Sequence, residues 1–169
     1  MPQKKFLKEL LPVDEITENL DAIVSLIKSV NPNASTLFTV SPVRHLKDGF
    51  IQKQQSKSHL ISAVHQVINS RNVSYFPSYE IMMDELRDYR FYAEDMIHPN
   101  QTAINYIWER FSEVWVSDKA KKTMQEVANI QNGLLHRPFN PNSTQHQQFL
   151  ENLSLKIEKL QKEYPFIHF

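Results

Sequence analysis

Apolar positions along the chain recur first at helical spacing. From Val13 to Val30 the set Ile16, Leu20, Ile23, Val24, Ile27 and Val30 repeats at intervals of three and four. Asp14, Glu15 and Glu18 stand early and Lys28 late, the charge order that a helix dipole favours. This predicts an amphipathic helix ended by Asn31-Pro32. Residues 35–40 then run apolar or β-branched without polar alternation and stop at Ser41-Pro42, which predicts a strand buried on both faces. A loop is expected over 43–55. Helical spacing returns over 56–71 in Leu60, Ile61, Val64, Val67 and Ile68, and Asn69-Ser70-Arg71-Asn72 breaks it. A second short strand, Val73-Ser74-Tyr75-Phe76, is closed by Pro77. Helix, strand, helix, strand is the rhythm of a parallel sheet with right-handed crossovers.

Beyond Pro77 the pattern becomes helical. Residues 78–86 predict one short helix and 87–97 a loop. Pro99 reads as the first residue of a helix carrying Ala103, Ile104, Ile107, Trp108, Phe111, Val114 and Trp115, with His98 at its N-cap, because proline is well tolerated where the N–H has no partner. A further helix is expected over 118–135, an interruption at Arg137-Pro138-Phe139-Asn140-Pro141, and a last helix marked by Phe149, Leu153, Ile157, Leu160 and Tyr164. No repeat or low-complexity tract divides the chain. Two strands are too few for a parallel sheet, which is normally larger and covered on both faces. The expected fold class is therefore α/β, as the latter part of a larger domain: 1–117 is read as its C-terminal part and 118–169 as a helical extension of the same domain.

Composition narrows the function classes. The 169 residues carry 19 basic and 19 acidic side chains, so no net field draws the chain to nucleic acid or to an anionic membrane. Hydrophobic residues at 41% and charged ones at 22% are enough for a packed core, which sets the chain apart from disordered sequences. Cysteine is absent, which removes disulfides, thiolate nucleophiles and cysteine zinc sites together and fits a reducing compartment. Met1-Pro2-Gln3-Lys4-Lys5-Phe6 is not followed by an apolar leader segment, and no apolar run approaches the roughly 18 residues of a membrane span. A cytoplasmic protein is expected, with no membrane and no nucleic-acid partner. The two glycines, Gly49 and Gly133, are too few for a Walker loop, a Rossmann fingerprint or a G-x-S-x-G elbow within these residues. Seven histidines show no H-x-x-x-H spacing. Neither a metal nor another cofactor is expected.

The sharpest local chemistry is Asp95-Met96-Ile97-His98-Pro99. A loop spacing of three lets the carboxylate fold back onto one imidazole nitrogen, fixing the tautomer and leaving the other nitrogen as a general base. The same residues read equally as a helix N-cap and a loop acceptor with no catalytic role. Ser41, Arg44 and His45 leave the carboxyl end of a predicted strand, where open α/β sheets hold their ligands, and are candidate substrate contacts. Ser41 as a nucleophile is disfavoured because Pro42 follows it and no strand-to-helix elbow aims its hydroxyl. Arg90 is a further candidate contact. It lies in the dense run Asp84-Glu85-Leu86-Arg87-Asp88-Tyr89-Arg90-Phe91-Tyr92-Ala93-Glu94, whose alternating signs read equally as internal salt bridges.

Four longer motifs stand in order: Phe38-Thr39-Val40-Ser41-Pro42-Val43-Arg44-His45-Leu46-Lys47-Asp48-Gly49, then Tyr75-Phe76-Pro77-Ser78-Tyr79-Glu80-Ile81, then 84–99, and last His136-Arg137-Pro138-Phe139-Asn140-Pro141. Together they resemble the GSCFA family of bacterial proteins, itself similar to the SGNH-type hydrolases. That resemblance implies a three-layer, flavodoxin-like α/β enzyme with a serine on its first strand and an Asp-x-x-His block near the end of its core. It makes Asp95 the orienting carboxylate and His98 the base of an acyl-ester hydrolase, with a small acyl-ester or acylated substrate. The string Gly-Ser-Cys-Phe-Ala that would carry the nucleophile does not occur in the sequence, so the resemblance is to the C-terminal half of the family's domain. Two readings follow: a hydrolase half that is inactive alone, or a non-enzymatic remnant that pairs through its exposed sheet edge with another copy or with an N-terminal half.

Overall fold

The computed structural model describes residues 8–68 and 72–169, in two compact units, 1–111 and 112–169. In the first, α1 (Val13–Val30) coincides with the predicted amphipathic helix and ends at Asn31, whose N–H closes on the Ile27 carbonyl at 2.8 Å. β1 (Thr36–Thr39) and β2 (Val73–Phe76) pair in parallel, with Thr36 opposite Val73 and Thr39 opposite Phe76. The helix between them, α2 (Phe50–Val67), lies along α1 on one face of this ribbon. Val24 of α1, Val67 of α2 and Val73 of β2 form the core there, with Leu20 and Phe38 packed against them. The unit is thus α/β with a small parallel sheet.

Two expectations change. β1 is only half-buried and Thr39 is exposed, because a ribbon of two strands has helices α1 and α2 against one face and a cleft at the other. The loop expected over 43–55 ends early. A short 3-10 turn occupies Leu46–Asp48 and α2 starts at Phe50, after Gly49 at φ 87°, a left-handed value that suits glycine. In the first turns of α2 the apolar residues Phe50 and Ile51 face solvent while Lys53 and Lys57 are buried, so the hydrophobic period is inverted where the helix begins. The break predicted at Asn69-Ser70-Arg71 lies outside the described residues, as does the N-terminal Met1 to Phe6.

Beyond β2, the turn α3 (Ser78–Glu80) runs into a π-helical turn over Ile81–Glu85. Ser78 ties the strand ends together: its hydroxyl donates to the Val40 carbonyl at 2.8 Å, which leaves its oxygen to accept from the Thr39 hydroxyl at 2.7 Å. Met82 and Leu86 pack against Ala103 of α4 (Gln101–Trp115) as a second core. In the other unit, α5 (Asp118–Leu135) has the predicted bounds and is capped by Ser117, and α6 (Thr144–Glu163) is capped by Ser143. Ile130, Leu153 and Leu160 are their shared core.

Candidate functional site

Residues 91–100 fold into a closed loop before α4. The Ala93 N–H donates to the His98 carbonyl at 2.8 Å, the Asn100 N–H to the Phe91 carbonyl at 2.9 Å, and Tyr92 bridges Pro99 in antiparallel sense. Inside it the Met96 N–H reaches the Ala93 carbonyl, with Met96 at φ 58°. The N-cap of α4 is Asn100, whose Oδ1 accepts from the Ala103 N–H at 3.1 Å. His98, expected at that cap, lies two residues ahead of it. Pro99 is compatible with helix entry, but its carbonyl side still belongs to the bridge, so the helix opens only after Asn100.

The Asp95 carboxylate is the centre of the loop. Its Oδ1 accepts from the Ile97 N–H at 2.8 Å and the His98 N–H at 3.0 Å, and its Oδ2 lies 2.6 Å from His98 Nδ1. These bonds hold its pKa down from 3.8 to about 2, the backbone N–H of His98 contributing most, then the imidazole, then the Ile97 N–H. Asp95 is therefore ionised at neutral pH and can only accept. The proton of a neutral His98 ring sits on Nδ1, and the lone pair on Nε2. The pair is open to solvent, with His98 60% and Asp95 45% exposed.

Of the other expected contacts, Arg44 is brought to the Asp95–His98 turn. Its N–H donates to the Ile97 carbonyl at 3.2 Å and its Nη1 to the Met96 carbonyl at 3.1 Å. Its guanidinium lies 4.9 Å from the Tyr92 ring centre and 5.6 Å from that of Tyr89. Ser41 is occupied locally: its Oγ accepts from the Val43 N–H at 3.2 Å, and its carbonyl accepts from the Lys57 ammonium. His45 is exposed at the start of the 3-10 turn. Arg90 lies over the Phe91 ring at 5.0 Å and 3.8 Å from the Asp88 carboxylate. Among the described residues no hydrogen bond or ion pair joins the side chains of Ser41, His45 or Arg90 to Asp95 or His98.

Sequence reasoning missed Lys53 and Lys57, buried on α2 one turn apart. Burial lowers both pKa values, helped by Arg44 for Lys53 and by Lys53 for Lys57. Lys57 also sits over the Tyr79 ring at 5.3 Å. Their inverted helical pattern gave no signal. Also missed was an apolar cleft of about 540 Å³ between the sheet and α4, lined by Leu37, Phe76, Ile104, Ile107, Trp108 and Phe111 and reaching Pro99 beside His98. Among the described residues no group of three or more histidine, aspartate or glutamate side chains is arranged to hold a metal, and no helix is long and apolar enough to cross a membrane.

Comparison with known proteins bears on the same segments. The chain matches the GSCFA family over residues 1–111 and the GSCFA domain protein C-terminal domain over residues 127–169. No curated protein and no solved structure matches it. The first match takes in the ribbon, the Arg44 loop and the Asp95–His98 pair together, and the chain belongs to the GSCFA family.

Proposed function

We propose that this chain supplies the base and its orienting carboxylate to an SGNH-type acyl-ester hydrolase, with the serine nucleophile and the oxyanion donors coming from a segment outside these 169 residues. In this reading residues 1–117 are the C-terminal part of the catalytic α/β domain and 118–169 a helical extension of it. The observation that carries the proposal is the 2.6 Å approach of Asp95 Oδ2 to His98 Nδ1 by a carboxylate already fixed by two backbone N–H groups. Such a carboxylate sets the tautomer and stabilises the imidazolium that forms during turnover. His98 Nε2 takes the proton of a serine hydroxyl as the oxygen attacks the ester carbonyl, then returns it to the departing alcohol. Water, deprotonated by the same nitrogen, releases the acid from the acyl-serine. Alone, base and orienter have no positioned nucleophile, so the 169 residues by themselves are expected to be inactive.

The test is complementation. A Gly-Ser-Cys-Phe-Ala segment from a family member, fused ahead of the chain or added in trans, is assayed on short acyl esters. Hydrolysis that falls at least 100-fold in His98→Ala is expected. A stable complex with no hydrolysis, or with hydrolysis indifferent to His98, overturns the reading. A second reading, a self-associating module without activity, is favoured by the apolar cleft beside the half-buried face of β1. Sedimentation distinguishes it: that reading expects the chain to be a dimer or larger at micromolar concentration.

A further inference from the structure

We propose that Arg44 is a positioning residue for the Asp95–His98 pair, acting on the loop between them and not on substrate. This rests on the base-and-orienter reading above. The turn from Asp95 to His98 passes through Met96 in the left-handed region, at φ 58°, where a side chain with a Cβ is disfavoured and a hold beyond the turn's own hydrogen bonds adds to its definition. Arg44 supplies that hold from the neighbouring strand-end loop. Its guanidinium donates to the carbonyl of Met96 itself, and its backbone N–H donates to the carbonyl of Ile97, the next residue. The two contacts grip consecutive peptide groups, and these lead into the N–H groups of Ile97 and His98 that Asp95 Oδ1 accepts. Rotation of either peptide would withdraw a donor from Asp95 and swing the imidazole off Oδ2.

The surroundings of the guanidinium fit a clamp better than a free ligand contact. Tyr92 and Tyr89 flank it, and both belong to the segment that leads into the same loop. No carboxylate pairs with it among the described residues, and its Nε is buried with no acceptor. A side chain held so, by two rings and the Met96 carbonyl, gains little for itself and fixes what it touches. Lysine reproduces it only in part, because an ammonium can donate to the Met96 carbonyl but lacks the flat face that lies against the rings.

The experiment needs neither substrate nor serine. In the 169-residue chain, NMR follows the Asp95 carboxyl carbon against pH and the His98 Nδ1–H resonance in wild type, Arg44→Ala and Arg44→Lys, with Arg87→Ala as a control for charge loss in the same segment. Circular dichroism checks the helices of each. In wild type, Asp95 is expected to titrate near 2 with the Nδ1–H visible. In Arg44→Ala it rises by about one pH unit toward 3.8 and the Nδ1–H is lost to exchange, in Arg44→Lys it moves the same way by less, and Arg87→Ala leaves both signals in place. If Arg44→Ala does not fold, Arg44→Lys is read alone. Either folded Arg44 variant with both signals at their wild-type positions overturns the positioning role and leaves the Asp95–His98 reading standing. A wild-type chain with no Asp95–His98 hydrogen bond overturns both.

Discussion

A single carboxylate does two separable jobs in the 95–98 loop, and substitutions can part them. Asparagine at 95 still has an oxygen for the Ile97 and His98 N–H groups, but where Asp95 Oδ2 stands it would present an NH₂ group, which cannot accept from His98 Nδ1. Asp95→Asn is therefore expected to keep the turn and reverse the imidazole tautomer. In the complemented enzyme, kcat should fall by about 10² to 10⁴ with KM little changed, as tautomer errors do in serine triads. A loss confined to KM would refute this. Acid reveals the first job. The folded pKa of Asp95, about 2, lies below its ordinary 3.8, so the carboxylate supports the loop fully above the ordinary value and releases it as pH falls through the folded one. The Ile97 and His98 amide resonances of wild type should move with a midpoint near 2, and those of Asp95→Asn should show no such step. A wild-type midpoint near 3.8 would mean that the three hydrogen bonds do not form in solution. The pair itself was legible from the spacing of Asp95 and His98. Arg44 was legible only as a residue at a strand end, because what defines its role, two backbone carbonyls and the faces of Tyr89 and Tyr92, has no periodic trace.

Among the elements, those built on local rules were read closely and those set by tertiary contacts were not. α1 and α5 end where the pattern placed them, because each carries a regular apolar stripe and turn or cap residues at its ends. The start of α2 was missed because lysines face inward there and apolar residues outward, an arrangement fixed by the Ser41 carbonyl and the Tyr79 ring to which Lys57 reaches. The entry to α4 was placed two residues early for a related reason. Pro99 is a good first helical residue, but the bridge from Pro99 to Tyr92 holds the chain extended, and Asn100 takes the cap. Asn100 also ties back to the preceding loop, its Nδ2 donating to the Arg90 carbonyl at 2.6 Å. Asn100→Ala removes both bonds and is expected to cost about 1–2 kcal/mol in urea unfolding. Asn100→Asp keeps the cap oxygen and should cost less. If the alanine variant unfolds within about 0.5 kcal/mol of wild type, α4 does not depend on this cap.

At the scale of the whole molecule the charges balance and cysteine is absent, so neither a net field nor a cross-link holds the chain together. Stability rests on local cores, and in residues 112–169 that core is small. Ile130 is 1% exposed and packs with Leu153 and Leu160, with Val127, Ile157, Tyr164 and Ile167 around them. All of these lie on α5, α6 or the residues just after α6. Gly133, one turn beyond Ile130, shows how tightly the two helices meet: a methyl group there would stand 2.7 Å from Leu153 Cδ1. Alanine would gain about 1 kcal/mol in helix propensity at an open helical position, but here it must displace a buried leucine, and overpacking costs about 1–3 kcal/mol. Gly133→Ala is therefore expected to destabilise this unit slightly, and Ile130→Ala, which opens a cavity, by about 2–4 kcal/mol. Because every neighbour of Ile130 in that core belongs to 112–169, its loss should be seen as faster amide exchange along α5 and α6. The Asp95 and His98 signals, anchored by bonds within 44–98, should stay where they are in wild type. If Ile130→Ala shifted those signals as well, the effect of the substitution would not be confined to the core of 112–169 and this expectation would fail.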